Sequence, residues 1–196
     1  MRKLSLISAV LLLALSAGAQ TAPQPCSSIK ADEKKAQRPS PPACTDVKFA
    51  GGKSIVIQYS QPGINDPKTK EPRVVWGQLV PWGAVWRMGA NEATSFDTDT
   101  NLTVGGTQVP AGSYSLDLLP QESGSWKLII NKTTGKWGIP YPGADSDLVR
   151  IDMQTSKLPN TVERFTITLT PAKGGATTLN LDWEKTRASI EIKEAK

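Results

Sequence analysis

The residues best suited to bind or transform a ligand fall in one stretch, Trp76-Gly-Gln-Leu-Val-Pro-Trp82-Gly-Ala-Val-Trp86-Arg87-Met-Gly-Ala-Asn91-Glu92-Ala-Thr94. It holds three of the chain's six tryptophans, broken up by Gly and Pro, and a polar cluster follows at once. Aromatic faces receive the C–H face of a sugar or another flat ligand, and Arg87, Asn91, Glu92 and Thr94 could fix its polar groups. A structural reading stands beside this one. Trp76, Trp82 and Trp86 could plug the end of a β-fold, because a buried aromatic covers a large area. Arg87 and Glu92 would then bridge internally, while Asn91 caps a turn. Trp137, beside Gly138 and ahead of Pro140, Tyr141 and Pro142, sits in a loop that could reach the same site.

Acid–base chemistry has fewer candidates. Glu92 with Asp97 or Asp99 is the only acidic cluster near the Trp segment, and a carboxylate pair of this kind could hydrolyse a glycoside. The chain contains no histidine. That excludes Ser-His-Asp and Cys-His catalysis, His-ligated zinc or copper, and haem attachment through Cys-x-x-Cys-His. There is no recognisable calcium loop, and no metal or cofactor is expected.

The N-terminus reads as an export signal. Arg2 and Lys3 precede a short apolar run over residues 4–15, and Ala17-Gly-Ala19 fits the small-x-small cleavage rule. Cleavage there removes two positive charges and no acidic one, so the formal charge falls from +5 to +3. The remaining lysines are scattered, which is not a nucleic-acid footprint. No later segment is apolar enough to span a membrane. The expected location is the periplasm, the cell envelope or the cell exterior. An even cysteine count in an exported chain points to a disulfide between Cys26 and Cys44. Both fall before the first strand pattern, so the bond is expected to add little to the core.

Residues 20–45 are rich in Pro, Gln, Ser and Lys, and read as a disordered tail or linker with at most a helical turn or two over residues 30–37. From residue 46 the period becomes two. Ile55, Ile57 and Tyr59 alternate with polar neighbours, as do Tyr114, Leu116 and Leu118. The same spacing relates Trp126, Leu128 and Ile130, then Val149, Ile151 and Met153, then Phe165, Ile167 and Leu169. Leu179, Leu181 and Trp183 follow, and Ala188, Ile190 and Ile192 close the chain. Half-buried strands have this pattern, and it assigns Trp126 and Trp183 to the core. Gly105-Gly106 is a two-residue hairpin signal, and Lys173-Gly-Gly175 is a further turn. The expected fold is all-β, a single antiparallel β-sandwich or partly open barrel over residues 46–196 behind the tail.

Several segments in this order carry a family resemblance. They include Tyr59-Ser-Gln-Pro-Gly63, the run from Val75 to Arg87, Gly89-Ala-Asn-Glu-Ala-Thr94, Pro110-Ala-Gly-Ser-Tyr-Ser-Leu116, Trp126-Lys-Leu-Ile-Ile-Asn131, Trp137-Gly138 and Leu181-Asp-Trp-Glu-Lys185. The chain resembles the secreted bacterial domain-of-unknown-function family 2911 over roughly residues 46–193. The resemblance implies export and a β-rich fold; it implies no catalytic residues. The sequence therefore leads to an exported, non-catalytic binding or accessory domain for a carbohydrate or another small polar molecule. Two alternatives stand beside it: a hydrolase using Glu92 and a nearby Asp, and a structural protein that binds envelope proteins through a sheet edge or the charged loop over residues 68–73.

Overall fold

Alternating side chains need a partner on the apolar face, and the chain supplies it by folding one sheet over on itself. The structure is a computed structural model that describes residues 22–195; the expected signal peptide lies outside the described residues. Among the described residues, nine strands form a single antiparallel sheet that is not closed. They are β1 (Pro42–Lys48), β2 (Ser54–Ser60), β3 (Thr94–Thr98), β4 (Leu102–Val104), β5 (Thr107–Val109), β6 (Gly112–Leu119), β7 (Trp126–Asn131), β8 (Asp147–Leu169) and β9 (Ala176–Glu194). Their order in the sheet is β1-β2-β3-β6-β7-β8-β9-β4-β5. This is the all-β antiparallel fold, a sandwich or partly open barrel, that the period-two pattern implies. Among the described residues, no helix is long and apolar enough to cross a membrane.

Two expectations about the strands need correction. The patterns at 149–153 and 165–169 belong to one long strand, β8, and those at 179–183 and 188–192 to another, β9. β8 pairs with β7 through residues 147–153 and with β9 from Gln154 onward, so it carries the sheet around the bend. The inward positions of β9 switch from odd (Leu179, Leu181, Trp183) to even (Ala188, Ile190, Ile192). Glu184, at φ 55°, lies between them, and the β8–β9 register shifts there. One inserted residue in a bulge moves every later side chain to the other face.

The second correction concerns the N-terminus. β1 begins at Pro42, ahead of the expected boundary at residue 46, so Cys44 lies within a strand. Its disulfide to Cys26 ties the tail to the sheet edge. Among the described residues, the tail before β1 holds a 3-10 turn (Cys26–Ser28) and a four-residue helix, α1 (Glu33–Ala36), capped by Asp32.

The sheet nearly meets itself beyond β2. Gly63 and Arg164 form an isolated antiparallel bridge, flanked by bonds from Phe165 N to Pro62 O and from Ile64 N to Glu163 O, both 2.9 Å. The buried Tyr59 hydroxyl reinforces this seam, accepting from Ile167 N at 2.9 Å and donating to Ile167 O at 3.2 Å. The Gly105-Gly106 hairpin is present, with both φ angles positive as the tight turn requires.

On the outer face of β6–β8, Asp147 holds the loop over residues 132–146. Its carboxylate accepts from Asn131, Tyr141 and Arg150 at 2.8, 2.6 and 2.7 Å. Asp117 stands on the same face and is only 4% exposed. Burial pushes its carboxyl up to about 7; the Asp147 charge adds to the rise and Arg150 opposes it.

Candidate functional site

The three tryptophans of the Trp segment are partly buried and pack against the core. Trp76 packs against Trp126 with ring centroids 4.5 Å apart and stacks on Trp82 at 6.4 Å. Trp86 stacks on Trp183 at 5.5 Å and meets Phe165 edge-on at 5.0 Å. Gly77 permits this packing. Its φ is 87°, and a Cβ there would lie 2.6 Å from Trp82 Nε1. Trp126 and Trp183 are buried in the core, as the alternation requires. The loop tryptophans continue that core outward.

Residues 84–88 form no continuous strand. Only Trp86 joins the ladder, exchanging hydrogen bonds with Leu118 of β6 at 2.8 and 2.7 Å. The chain then leaves the sheet and returns at Thr94, which pairs with Leu116. Residues 87–93 form a short excursion with Met88 and Asn91 at φ 51° and 59°. The Thr94 hydroxyl fastens its base by donating to Met88 O at 2.7 Å.

Within this excursion the polar residues take separate directions. Glu92 does not pair with Arg87. It accepts two bonds from Arg38 Nη1, at 3.0 and 2.9 Å, and pairs with Lys35 at 3.0 Å. Desolvation opposes its ionisation, but its own backbone N–H, Lys35 and Arg38 outweigh that and hold the carboxyl at about 2. Asn91 Nδ2 donates to Ser40 O at 3.0 Å. Both residues therefore bind the tail. Sequence spacing gave no sign of this, because the partners lie about fifty positions away.

Arg87 has a different setting. Among the described residues its side chain makes one hydrogen bond, a long one to Trp137 O at 3.3 Å. No carboxylate pairs with it among the described residues, and burial lowers its pKa. Gly138 (φ 84°) packs against its stem: a Cβ there would lie 3.0 Å from Arg87 Cδ and 3.2 Å from Ala93 Cα. The Trp137 ring itself is 50% exposed.

Arg87 and Trp86 line a cleft of about 730 Å³. Pro39 and Ser40 of the tail, Gly63, Arg73 and Arg164 also border it. Among the described residues, Arg164 Nη1 donates to carbonyls alone, Pro39 O at 3.0 Å and Gln61 O at 3.1 Å. Arg73 donates to Gly63 O and Ile64 O and lies 4.0 Å from Asp66. Asp66 is occupied by the backbone N–H groups of Thr69 and Lys68, which lower its pKa. With Lys70 and Glu163, the lining carries four cationic groups against two acidic ones. The Trp183 indole also borders the cleft, and its buried Nε1–H has no partner among the described residues.

Sequence reasoning missed Arg164, which reads there as an outward strand position, and treated Arg73 as part of a charged loop. The Gly63–Arg164 bridge brings both to the Trp segment. The acidic residues do not gather in the same way. Glu92 borders a second cavity beneath the tail, Asp97 a third, and Asp99 accepts from Ser54 N at 2.8 Å. A carboxylate pair across one bond is not formed from these residues.

A family model described as a protein of unknown function, DUF2911, matches residues 40–192. The chain belongs to that family. The match begins ahead of Cys44, so that cysteine lies inside the family region and Cys26 outside it. No curated protein and no solved structure matches the chain.

Proposed function

We propose that the chain is an exported, non-catalytic binding domain whose ligand is a small polar molecule bearing an anionic oxygen group. The supporting observation is Arg87, a partly buried guanidinium in a cleft with no carboxylate partner among the described residues. Desolvating a cation is costly, and a bound carboxylate or phosphate would offset the cost through charge-assisted hydrogen bonds. Arg164 adds a second guanidinium, occupied among the described residues by carbonyls alone. The cleft volume of about 730 Å³ suits a ligand rather than one ion.

The test is a thermal-shift screen of the mature chain against phosphate, acetate, glucuronate, citrate and neutral glucose. A ligand at 100 times its dissociation constant should add about 2.7 kcal/mol to the folded state. Anions should stabilise the wild type. Arg87→Gln should weaken their binding by roughly tenfold or more, the loss of a charge-assisted contact. Binding of glucose as tight as that of glucuronate would overturn the anionic reading, as would anion binding unchanged in folded Arg87→Gln.

A further inference from the structure

We infer that the ligand is amphipathic, an anionic head joined to an apolar chain or ring; this deepens the anion-binding reading and rests on it. Large hydrophobic side chains exposed among the described residues are Val74, Leu79, Trp137 and Ile139. Leu79 and Ile139 both line the cleft, at 38% and 59% exposed, and Trp137 is two positions from Ile139. Single exposed apolar residues are ordinary, but a group of them around one concavity marks a binding surface.

The lining also divides by chain segment. Asn65, Asp66, Lys70, Arg73, Glu163 and Arg164 supply charged and polar groups. Leu79, Val80, Val85, Trp86 and Ile139 supply apolar surface. Arg87 lines the same cleft as both groups. Gly138 packs directly on its stem, and Ile139 is the next residue. An anion held by Arg87 thus has apolar side chains beside it, and a chain or ring attached to that anion would cover Ile139 and Leu79. A bare anion would leave them in water.

The experiment is titration calorimetry on the mature chain with acetate, butyrate, hexanoate and octanoate, alongside octyl phosphate and octanol. Affinity should rise with length, by up to about fourfold per methylene buried. Octanoate and octyl phosphate separate a carboxylate head from a phosphate head. Octanol should bind far more weakly than either. Ile139 is exposed enough to be replaced without opening the core, and Ile139→Ser should reduce the gain per methylene. If short anions bind in an Arg87-dependent way but affinity is flat with length, the amphipathic inference is wrong and the anion reading stands. If octanol binds as tightly as octanoate, or no member of the series binds, both are wrong.

Discussion

Asp117→Asn should change how stability depends on pH, by an amount the structure sets. The Asp117 carboxyl is 4% exposed and is raised to about 7, chiefly by burial. An aspartate in the unfolded chain titrates near 3.9. Between those values the folded protein holds a proton that the unfolded chain has released, so stability falls as pH rises. The contribution is fully present below the unfolded value and is lost as pH passes through about 7. A shift of about three units, at about 1.4 kcal/mol each, gives a loss of about 4 kcal/mol between acid and mildly alkaline pH. Asn cannot ionise, so the variant lacks this slope. Urea unfolding of both proteins from about pH 4 to about pH 8 gives the difference in unfolding free energy directly. Other groups largely cancel in that difference, and with no histidine and both cysteines paired, few ordinary groups titrate near neutrality. The wild type should lose stability relative to Asp117→Asn at about 1.4 kcal/mol per pH unit through this window. A difference that stays flat would refute the assignment of a proton to Asp117 in the folded state.

Other perturbations address the parts that position the cleft. Gly138→Ala puts a Cβ against Arg87 and Ala93 at a positive φ, so it should destabilise by about 1 kcal/mol or more and weaken anion binding as Arg87 moves; thermal unfolding and calorimetry read the two effects. Tyr59→Phe leaves the buried Ile167 backbone groups without the hydroxyl that bridges them, a loss of about 1–3 kcal/mol in denaturant unfolding. The Cys26→Ser, Cys44→Ser double variant frees a segment of sequence separation 18 that β1 anchors at one end. Loop-closure entropy puts its destabilisation at about 3 kcal/mol, measurable by urea unfolding, and not the small effect expected of a bond outside the strands. Glu92→Gln should raise amide exchange across residues 33–41, since Lys35 and Arg38 lose their anchor. The wild-type tail should loosen only in strong acid, because a carboxyl lowered to about 2 keeps its contribution above the ordinary range and loses it as pH falls through 2.

The sequence by itself determined what local chemistry determines. Alternation placed Ile55, Ile57, Leu116, Leu118, Trp126, Leu128 and Trp183 on the inner face, because a strand has a period of two whatever it pairs with. Gly105-Gly106 specified its own turn, because few other residues adopt two positive φ angles in succession. The two cysteines pointed to each other because there was no third. The family resemblance was likewise legible, since its segments recur in order along the chain. Tertiary structure decided the rest. Whether 149–153 and 165–169 were two strands or one bent strand depended on which neighbours each half met, and no window of sequence holds that information. Arg87 and Glu92 are five positions apart, yet one faces the cleft and the other holds the tail. Arg164 joined the candidate site only because the sheet folds back until Gly63 and Arg164 meet, a contact between residues about a hundred positions apart. Hydrophobic periodicity reports which face of a strand is buried; which charges end up around one cavity follows from how the sheet curves to bury it.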